Sequence, residues 1–333
     1  MCERSADSAF EGIVERLRSA RSLLALTHAR PDGDGLGSMA ALVHAARAAG
    51  KKAHALIPNG FPARYGFLFP EDRPATAGRF AALADHVDVI VILDTRAFAQ
   101  MESLEAHLRA RTEKIIVLDH HITTDDVGAV QWTDTSAAAV GVMIAEVIEA
   151  LGWGVDCFTA EALMTAVTTD TGWLRFANAD ARALRAVARW IEAGVRPDVL
   201  YRKIYQTDRP QRLMLIARAL ESLELFCDGQ LAAMTLRRSD FEATGATQEE
   251  TENLVNEALR LKTVETALLL VDSGSHIRVS LRSRDRINVA ELARRFGGGG
   301  HARAAGLRIA ENIDVLKERL VAACAEELAK AGR

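Results

Sequence analysis

The sequence predicts an α/β protein in two parts. A parallel-sheet amino-terminal domain is joined by a helical connector to a smaller α/β carboxy-terminal domain. Three observations carry this. Val87–Leu93 and Lys114–Leu118 are unbroken apolar runs rich in Val and Ile, the signature of strands with both faces buried. Helical stretches alternate with such runs, as in an open α/β sheet. The chain has 333 residues, 49% of them hydrophobic, which exceeds one ordinary domain and supplies two cores.

Residues 7–20 place Phe10, Ile13, Val14 and Leu17 on one helical face. Leu23–Leu26 is a short buried strand ending at Thr27-His28, followed by a Gly- and Asp-rich loop and a helix over 38–49 that Gly50 terminates. Strands follow at 51–57, 87–93 and 114–118, with helices at 99–111, 137–151 and 159–167. Residues 181–226 read as helical, broken at Pro197 and Pro210. The second domain has strands at 231–238, 264–272, 276–283 and 307–310, and helices at 248–261, 288–296 and 313–330. The expected boundaries are 1–195, a connector over 196–222, and 223–333.

A net charge of −4 argues against a surface that grips long nucleic acid without sequence preference. Cys2, Cys157, Cys227 and Cys324 lie far apart with no C-x-x-C pair, so free thiols are expected rather than a zinc-thiolate site or disulfide framework. No signal-like start and no membrane-length apolar run is read, so the cytoplasm is the expected location.

The strand ends hold the chemistry. His28, Asp32 and Asp34 follow the first strand, Asp94 the third, and Asp119, His120 and His121 the fourth. Asp170 follows the helical run 159–167. Ligands of open parallel sheets bind outside the carboxyl ends of the strands. Carboxylates gathered there repel unless cations or protons intervene. Asp with His and without Cys suits manganese first, with magnesium, cobalt or zinc as alternatives, and the donors suffice for two ions. A single such Asp is usually a helix cap or turn residue, so the reading rests on their coincidence at four element ends. Gly33, Gly35 and Gly37 do not make a dinucleotide fingerprint, and Gly297–Gly300 before His301 does not make a P-loop.

These motifs resemble the DHH phosphoesterase superfamily. Thr27–Ser38, Leu93-Asp94-Thr95, Asp119-His120-His121 and Asp170-Thr171-Gly172 match its ordered motifs, and Phe296–Gly306 with Ser280–Ser283 matches the DHH-associated carboxy-terminal domain. Length and motif order are most similar to the NrnA-type nanoRNase and pAp-phosphatase group. Ile122-Thr123-Thr124-Asp125 departs from relatives, which often show Pro and Asn there. The resemblance implies a DHH metal-binding catalytic domain over 1–195 and a substrate-binding domain over 223–333. It implies one metal on His28, Asp32 and Asp94, and another on Asp34, Asp94, His120 and Asp170, with Asp94 bridging. His121 would face the substrate phosphate, and Asp119 would orient His120 or its loop from behind.

Arg282, Arg284 and Arg286 would share one strand face, close in sequence to Arg294, Arg295 and Arg303. Most of these read as a solvated edge. Arg282 and His301 stand inside the matched motifs, and Gly298, Gly299 and Gly300 could form an anion-binding nest. This patch would hold a phosphate one or two nucleotides from the metals. Trp173 and Phe176 could stack on a base, although core packing is the plainer reading, as it is for Trp132, Trp153 and Trp190. His44, His54, His86, His107 and His276 carry no motif, and Asp125-Asp126 reads as exposed.

The expected activity is two-metal hydrolysis, in an interdomain cleft, of short oligoribonucleotides to 5′-mononucleotides and of 3′-phosphoadenosine-5′-phosphate (pAp) to AMP. A metal-activated water would attack phosphorus in line. A phosphodiesterase for linear dinucleotides from cyclic-dinucleotide turnover is the near alternative. A non-catalytic nucleotide-binding regulator is the alternative of another class. No long duplex or membrane partner is expected, and a homodimer is an open option.

Overall fold

The computed structural model describes residues 2–331 except 122–124, and the description of residues 2–7, Glu102 and His301 stops at the backbone. Ile122-Thr123-Thr124 therefore lies outside the described residues. The chain divides into two compact units, Met1–Thr207 and Asp208–Arg333.

The first unit contains α1 (Cys2–Ser19), β1 (Ser22–Leu26), α2 (Gly33–Ala48), β2 (Lys52–Ile57), β3 (Ala75–Thr76), α3 (Phe80–Ala84) and β4 (Val89–Leu93). It continues with α4 (Glu105–Arg109), β5 (Ile115–Asp119), β6 (Val130–Thr133), α5 (Val140–Leu151), α6 (Cys157–Asp170), α7 (Ala181–Glu192) and α8 (Pro197–Tyr205). Its described strands form one sheet in the order β3-β2-β1-β4-β5-β6, and each pairing is parallel. β1, β4 and β5 are buried at every residue, as their unbroken apolar sequence requires. One core lies under α1, α2, α5 and α6, and a second covers the opposite face with Phe80, Phe98, Leu104 and Leu108. The strand order reverses between β1 and β4, so a crevice opens at the carboxyl ends of those neighbours.

Two expectations in this unit need correction. α2 begins at Gly33, so Asp-Gly-Asp-Gly is the first helical turn and not a loop. Asp32 caps it, accepting from the amides of Asp34 (3.0 Å) and Gly35 (3.1 Å). Glycine is needed in this turn because α2 lies tightly on its neighbours. A Cβ at Gly37 would stand 2.5 Å from the Ala162 carbonyl of α6, and one at Gly35 would stand 2.3 Å from Thr27 Oγ1. The helix expected over 99–111 is instead a series of 3-10 turns ending in the short α4.

The second unit contains α9 (Pro210–Glu221), β7 (Glu224–Phe226), β8 (Leu231–Leu236), α10 (Arg238–Thr244), β9 (Thr266–Asp272) and β10 (Ile277–Ser283). It ends with α11 (Val289–Arg294), β11 (Gly299–His301), β12 (Ala304–Ile309) and α12 (Ile313–Ala331). The sheet order is β11-β12-β10-β9-β8-β7, with β8 and β9 parallel and the other pairs antiparallel. α11 and α12 cover one face, and α9 with the 3-10 turns at Gln248–Thr251 and Leu254–Arg260 covers the other. Those turns replace the helix expected at 248–261.

Residues 196–222, expected as a connector, are shared between the units. Leu200 and Ile204 of α8 lie in the first unit's core, and Leu215 and Ala219 of α9 lie in the second's.

Candidate metal and phosphate site

The expected donors of the first unit meet at the β1/β4 switch point. His28 Nε2 lies 3.5 Å from Asp94 Oδ2 and 3.8 Å from Asp32 Oδ1. His120 Nε2 lies 3.6 Å from Asp94 Oδ1, 3.8 Å from Asp34 Oδ2 and 3.9 Å from Asp170 Oδ2. His121 Nδ1 is 3.7 Å from Asp94 Oδ1. Most of these separations are too long for hydrogen bonds. They suit donors that share a cation, since ligand atoms about 2.0–2.2 Å from a metal stand roughly 3–4 Å apart. Among the described residues, three donor groups are compact enough to hold an ion: His28-Asp32-Asp94, Asp34-His120-Asp170 and Asp94-His120-His121.

Asp94 is the hub. It is 3% exposed, and its Oδ1 is buried without a hydrogen-bond partner. An orphaned buried carboxylate oxygen is costly unless a cation or proton sits against it. Its backbone is left-handed, with φ of 62°, a conformation that Asp and Asn tolerate better than most residues. This turn directs the carboxylate to the sheet edge immediately after β4.

Asp34 is anchored on every side but one. Oδ1 accepts from Ser38 Oγ (3.1 Å) and the Gly141 amide (3.0 Å), and Oδ2 accepts from the Val140 amide (2.7 Å). A carboxylate oxygen has two acceptor sites, so a single site on Oδ2 is left, toward His120. His120 is oriented by Nδ1, 3.0 Å from the Ala137 carbonyl, which leaves Nε2 for a cation. Of the two roles expected for Asp119, His120 or its loop, the bonds fit the loop: Asp119 Oδ1 lies 2.8 Å from His121 Nδ1 and accepts from the His121 amide at 3.2 Å. The reason is local: β5 ends at Asp119, and its side chain turns back onto the residue two positions on.

The electrostatics follow from this crowding. Burial, then repulsion by Asp170, pushes the Asp34 carboxyl up to about 7. Burial and the Asp34 charge hold Asp94 well above the usual carboxylate range, and burial raises Asp170. Asp32 goes the other way: desolvation pulls it up, but His28 and the α2 amides outweigh this and lower it. The hydrogen bond to Asp119 raises His121 to about 9, so its imidazole is cationic at neutral pH.

Beside Asp170 the backbone runs left-handed through Gly172, Trp173 and Leu174, with φ of 56°, 61° and 62°. Trp173 packs edge-on to Tyr201 (5.0 Å) and Tyr205 (5.8 Å) of α8, so it ties this loop to the unit. Phe176 remains 53% exposed.

The basic patch of the second unit mostly dissolves into structural contacts. β10 ends at Ser283, so Arg284 and Arg286 leave the strand face of Arg282. Arg284 caps the carbonyls of Leu261 (2.8 Å) and Lys262 (3.0 Å), and Arg286 bonds Gln230 Oε1 at 2.5 Å. Arg295 pairs with Glu326 and Glu327, and Arg303 bonds the Ile287 carbonyl. Arg282 is half-buried, and desolvation lowers its guanidinium below the usual range. The expected Gly-rich nest is instead strand β11, paired Gly299 to Gly306 and Gly300 to Ala305. Glycine is required there for close approach: a Cβ at Gly298 or Gly300 would stand 2.4 or 2.5 Å from a β12 carbonyl oxygen. The His301 side chain lies outside the described residues.

Sequence reasoning missed the groups that orient the donors: the Ala137 carbonyl, the Val140 and Gly141 amides, and Asn178. The first three are backbone atoms in a run of small residues, which carries no side-chain signal. Asn178 lies eight residues past Asp170 in a loop with no other motif.

Residues 22–168 match the DHH family, N-terminal domain, and residues 228–328 match the DHHA1 domain. The chain is 28% identical over 313 residues to the bifunctional oligoribonuclease and PAP phosphatase NrnA of Thermus thermophilus, covering 92% of this chain and 90% of that one. It is 26% identical over 292 residues to the Bacillus subtilis protein of the same name, covering 85% and 87%. An exopolyphosphatase-related protein from Bacteroides fragilis shares the fold, with a TM-score of 0.89 at 24% identity, covering 97% and 96% of the two chains. The chain belongs to the DHH superfamily of phosphoesterases, with similarity to its NrnA-type members along both units.

Proposed function

We propose that this DHH-superfamily chain is a two-metal phosphoesterase that hydrolyses short oligoribonucleotides to 5′-mononucleotides and pAp to AMP. The observation that carries the reading is Asp94, buried with an orphaned Oδ1 among His28, His120 and His121. The relatives named for both activities extend along nearly the whole chain. One cation would be held by His28, Asp32 and Asp94, and the other by Asp34, Asp94, His120 and Asp170. The donor set fits divalent ions of the manganese type, with magnesium or cobalt as alternatives. Bound there, such ions supply Lewis-acid stabilisation of phosphoryl charge and activation of water at neutral pH.

The chain's own groups do the rest. Asp94 lies within 3.7 Å of three imidazoles and holds the two donor groups in one frame. The hydrogen bond from His121 Nδ1 to Asp119 favours the cationic form of this imidazole, which would stabilise charge on a phosphoryl or leaving oxygen. Arg282 and His301 are assigned the neighbouring nucleotide phosphate, with Gly298, Gly299 and Gly300 shaping the hairpin that carries His301. Long duplex nucleic acid is not a substrate in this reading, given the net charge of −4. No described helix is long and apolar enough to cross a membrane. Cytoplasmic residence is part of the same proposal.

The test is turnover of di- to pentaribonucleotides and pAp by the full chain, with manganese and with excess chelator. Metal-dependent release of 5′-mononucleotides and AMP is expected. Failure on every member of the panel with metal present would overturn the reading.

A further inference from the structure

The segment Asp134–Gly141, running from β6 into the first turn of α5, reaches three of the proposed metal ligands, two directly and the third through Asn178, each from a different element. The Ala137 carbonyl fixes His120 of the β5 end, at 3.0 Å from Nδ1. The Val140 and Gly141 amides fix Asp34 of α2 at 2.7 and 3.0 Å. The Ala138 carbonyl accepts from Asn178 Nδ2 at 3.0 Å, and the same nitrogen reaches the Asp170 carbonyl and carboxylate at 3.3 Å. Each link is made by backbone of the segment, directly or through Asn178, and its ligands are the set Asp34, His120 and Asp170. None reaches His28 or Asp32.

The segment is itself held. Its first residue, Asp134, accepts from Ser136 (amide 3.0 Å, Oγ 2.6 Å) and from Arg182 at 2.5 Å, while Arg182 also pairs with Glu146 of α5 at 2.6 Å. Gly141 lets α5 come close enough to work, since a Cβ there would stand 2.5 Å from Ala166 Cβ of α6.

We propose that residues 134–141 form a positioning shelf, with Asn178 as its link to Asp170 and Arg182 as its clamp. The shelf sets the geometry of one metal site while leaving the other to His28 and Asp32. It leaves a single site on Asp34 Oδ2 and only Nε2 on His120 to face a cation, so both present one ligand atom each. Asn178 and Arg182 are positioning residues: they act on the metal through other side chains. The proposal rests on the ligand assignment above.

The experiment is manganese binding by calorimetry on the full chain, for wild type, Asn178→Ala and Arg182→Met, with melting temperatures of the metal-free proteins alongside. Loss of a partner that orients a ligand costs roughly 10–100-fold in metal affinity. In Asn178→Ala one of two sites should weaken by that factor while the other keeps wild-type affinity. The rise of kcat with manganese should shift to higher concentration by the same factor, with KM for a dinucleotide unchanged and kcat restored by excess metal. Asn178 is exposed, so the fold should survive the change. Arg182→Met should weaken the same site. If wild type binds no manganese, the ligand assignment fails. If wild type binds two ions and Asn178→Ala binds both with unchanged affinity, the shelf proposal fails and the assignment stands. A lower melting temperature with unchanged binding would also refute it, by reducing Asn178 to a structural role.

Discussion

Replacing Asp94 by Asn tests the proposed site at the one residue assigned to both proposed metal positions. Asn is the right probe because φ at this position is 62°. Ala would add a left-handed backbone penalty of about 1–2 kcal/mol that has nothing to do with charge. In the proposed site, the neutral amide of Asp94→Asn cannot carry the negative charge that two cations share. Losing about 4 kcal/mol of electrostatic stabilisation corresponds to roughly a thousandfold in kcat. Stability should change in two opposite ways. Metal at a thousand times its Kd stabilises a folded protein by about 4 kcal/mol, or roughly 8–16 °C for a unit of this size, and the variant should lose most of that. Without metal, at pH 8, the variant should melt no lower than wild type, because the change removes a charge that Asp34 and burial disfavour. The assays are hydrolysis of a dinucleotide over a manganese series and melting with and without metal. Wild-type activity in Asp94→Asn, or in wild type under excess chelator, would refute the two-metal reasoning. A variant that melts well below wild type in the absence of metal would refute the charge argument.

Asp34, Asp94 and Asp170 have folded pKa values above their unfolded ones, so folding disfavours their charged forms. The metal-free chain should lose stability as pH rises from about 4 toward 7, and the melting shift on adding manganese should be larger at pH 8 than at pH 5.5; an equal shift would contradict this. Arg282→Ala and His301→Ala should lower kcat/KM roughly ten- to a hundredfold on a dinucleotide and on pAp, and much less on bis(p-nitrophenyl) phosphate; equal losses on all three would assign them to folding or general catalysis. Fragments 1–207 and 208–333 should each fold, and neither should turn over dinucleotides efficiently; full kcat/KM in the first alone would remove the second unit from substrate binding. A cut at 195 instead strips buried Leu200 and Ile204 and should cost the first fragment about 3–6 kcal/mol.

The sequence disclosed what side chains disclose. Apolar runs located β1, β4 and β5 because burial on both faces leaves no room for polar alternation. The residue types at their ends supplied the donors, because few other arrangements place Asp and His after several strands at once. Short edge strands were less visible: Ala75–Thr76 and Val130–Thr133 are too brief for periodicity to register. Glycine misled twice, for the same reason. At 33–37 and 298–300 it looked like flexible loop or anion nest, but it answers to close packing, helix on helix in one case and strand on strand in the other. The arginines after β10 misled because alternation was extended past Ser283, where the chain turns and Arg284 caps carbonyls. Of the groups that orient the proposed ligands, those of Ala137, Val140 and Gly141 were illegible in principle, being backbone atoms, whereas Asn178 is a side chain without a motif around it.

The magnitudes explain why such a cluster needs cations rather than only better packing. Ligand atoms of Asp34, His120 and Asp170 all lie within 4.8 Å of one another. Two carboxylate charges at that distance repel by roughly 3–4 kcal/mol at an effective dielectric of about 20. The N-termini of α2 and α5 both serve the cluster, through the Asp32 cap and the amides on Asp34. A helix terminus contributes about 0.3–2 kcal/mol, so the pair roughly offsets one such repulsion. Asp94 adds a further charge with an unpartnered oxygen, and the helices have nothing left to set against it. Protons are one remedy, consistent with Asp34 held near 7, but a protonated carboxyl is a poor metal ligand and leaves His120 Nε2 without a partner. Divalent cations turn each of those repulsions into an attraction and occupy every donor at once. Two of the donors are held by their neighbours, Asp34 by Ser38, Val140 and Gly141, and His120 by Ala137. Relief of the repulsion among the charged carboxylates therefore adds to the free energy of cation binding, and it does so most where pH has removed their protons.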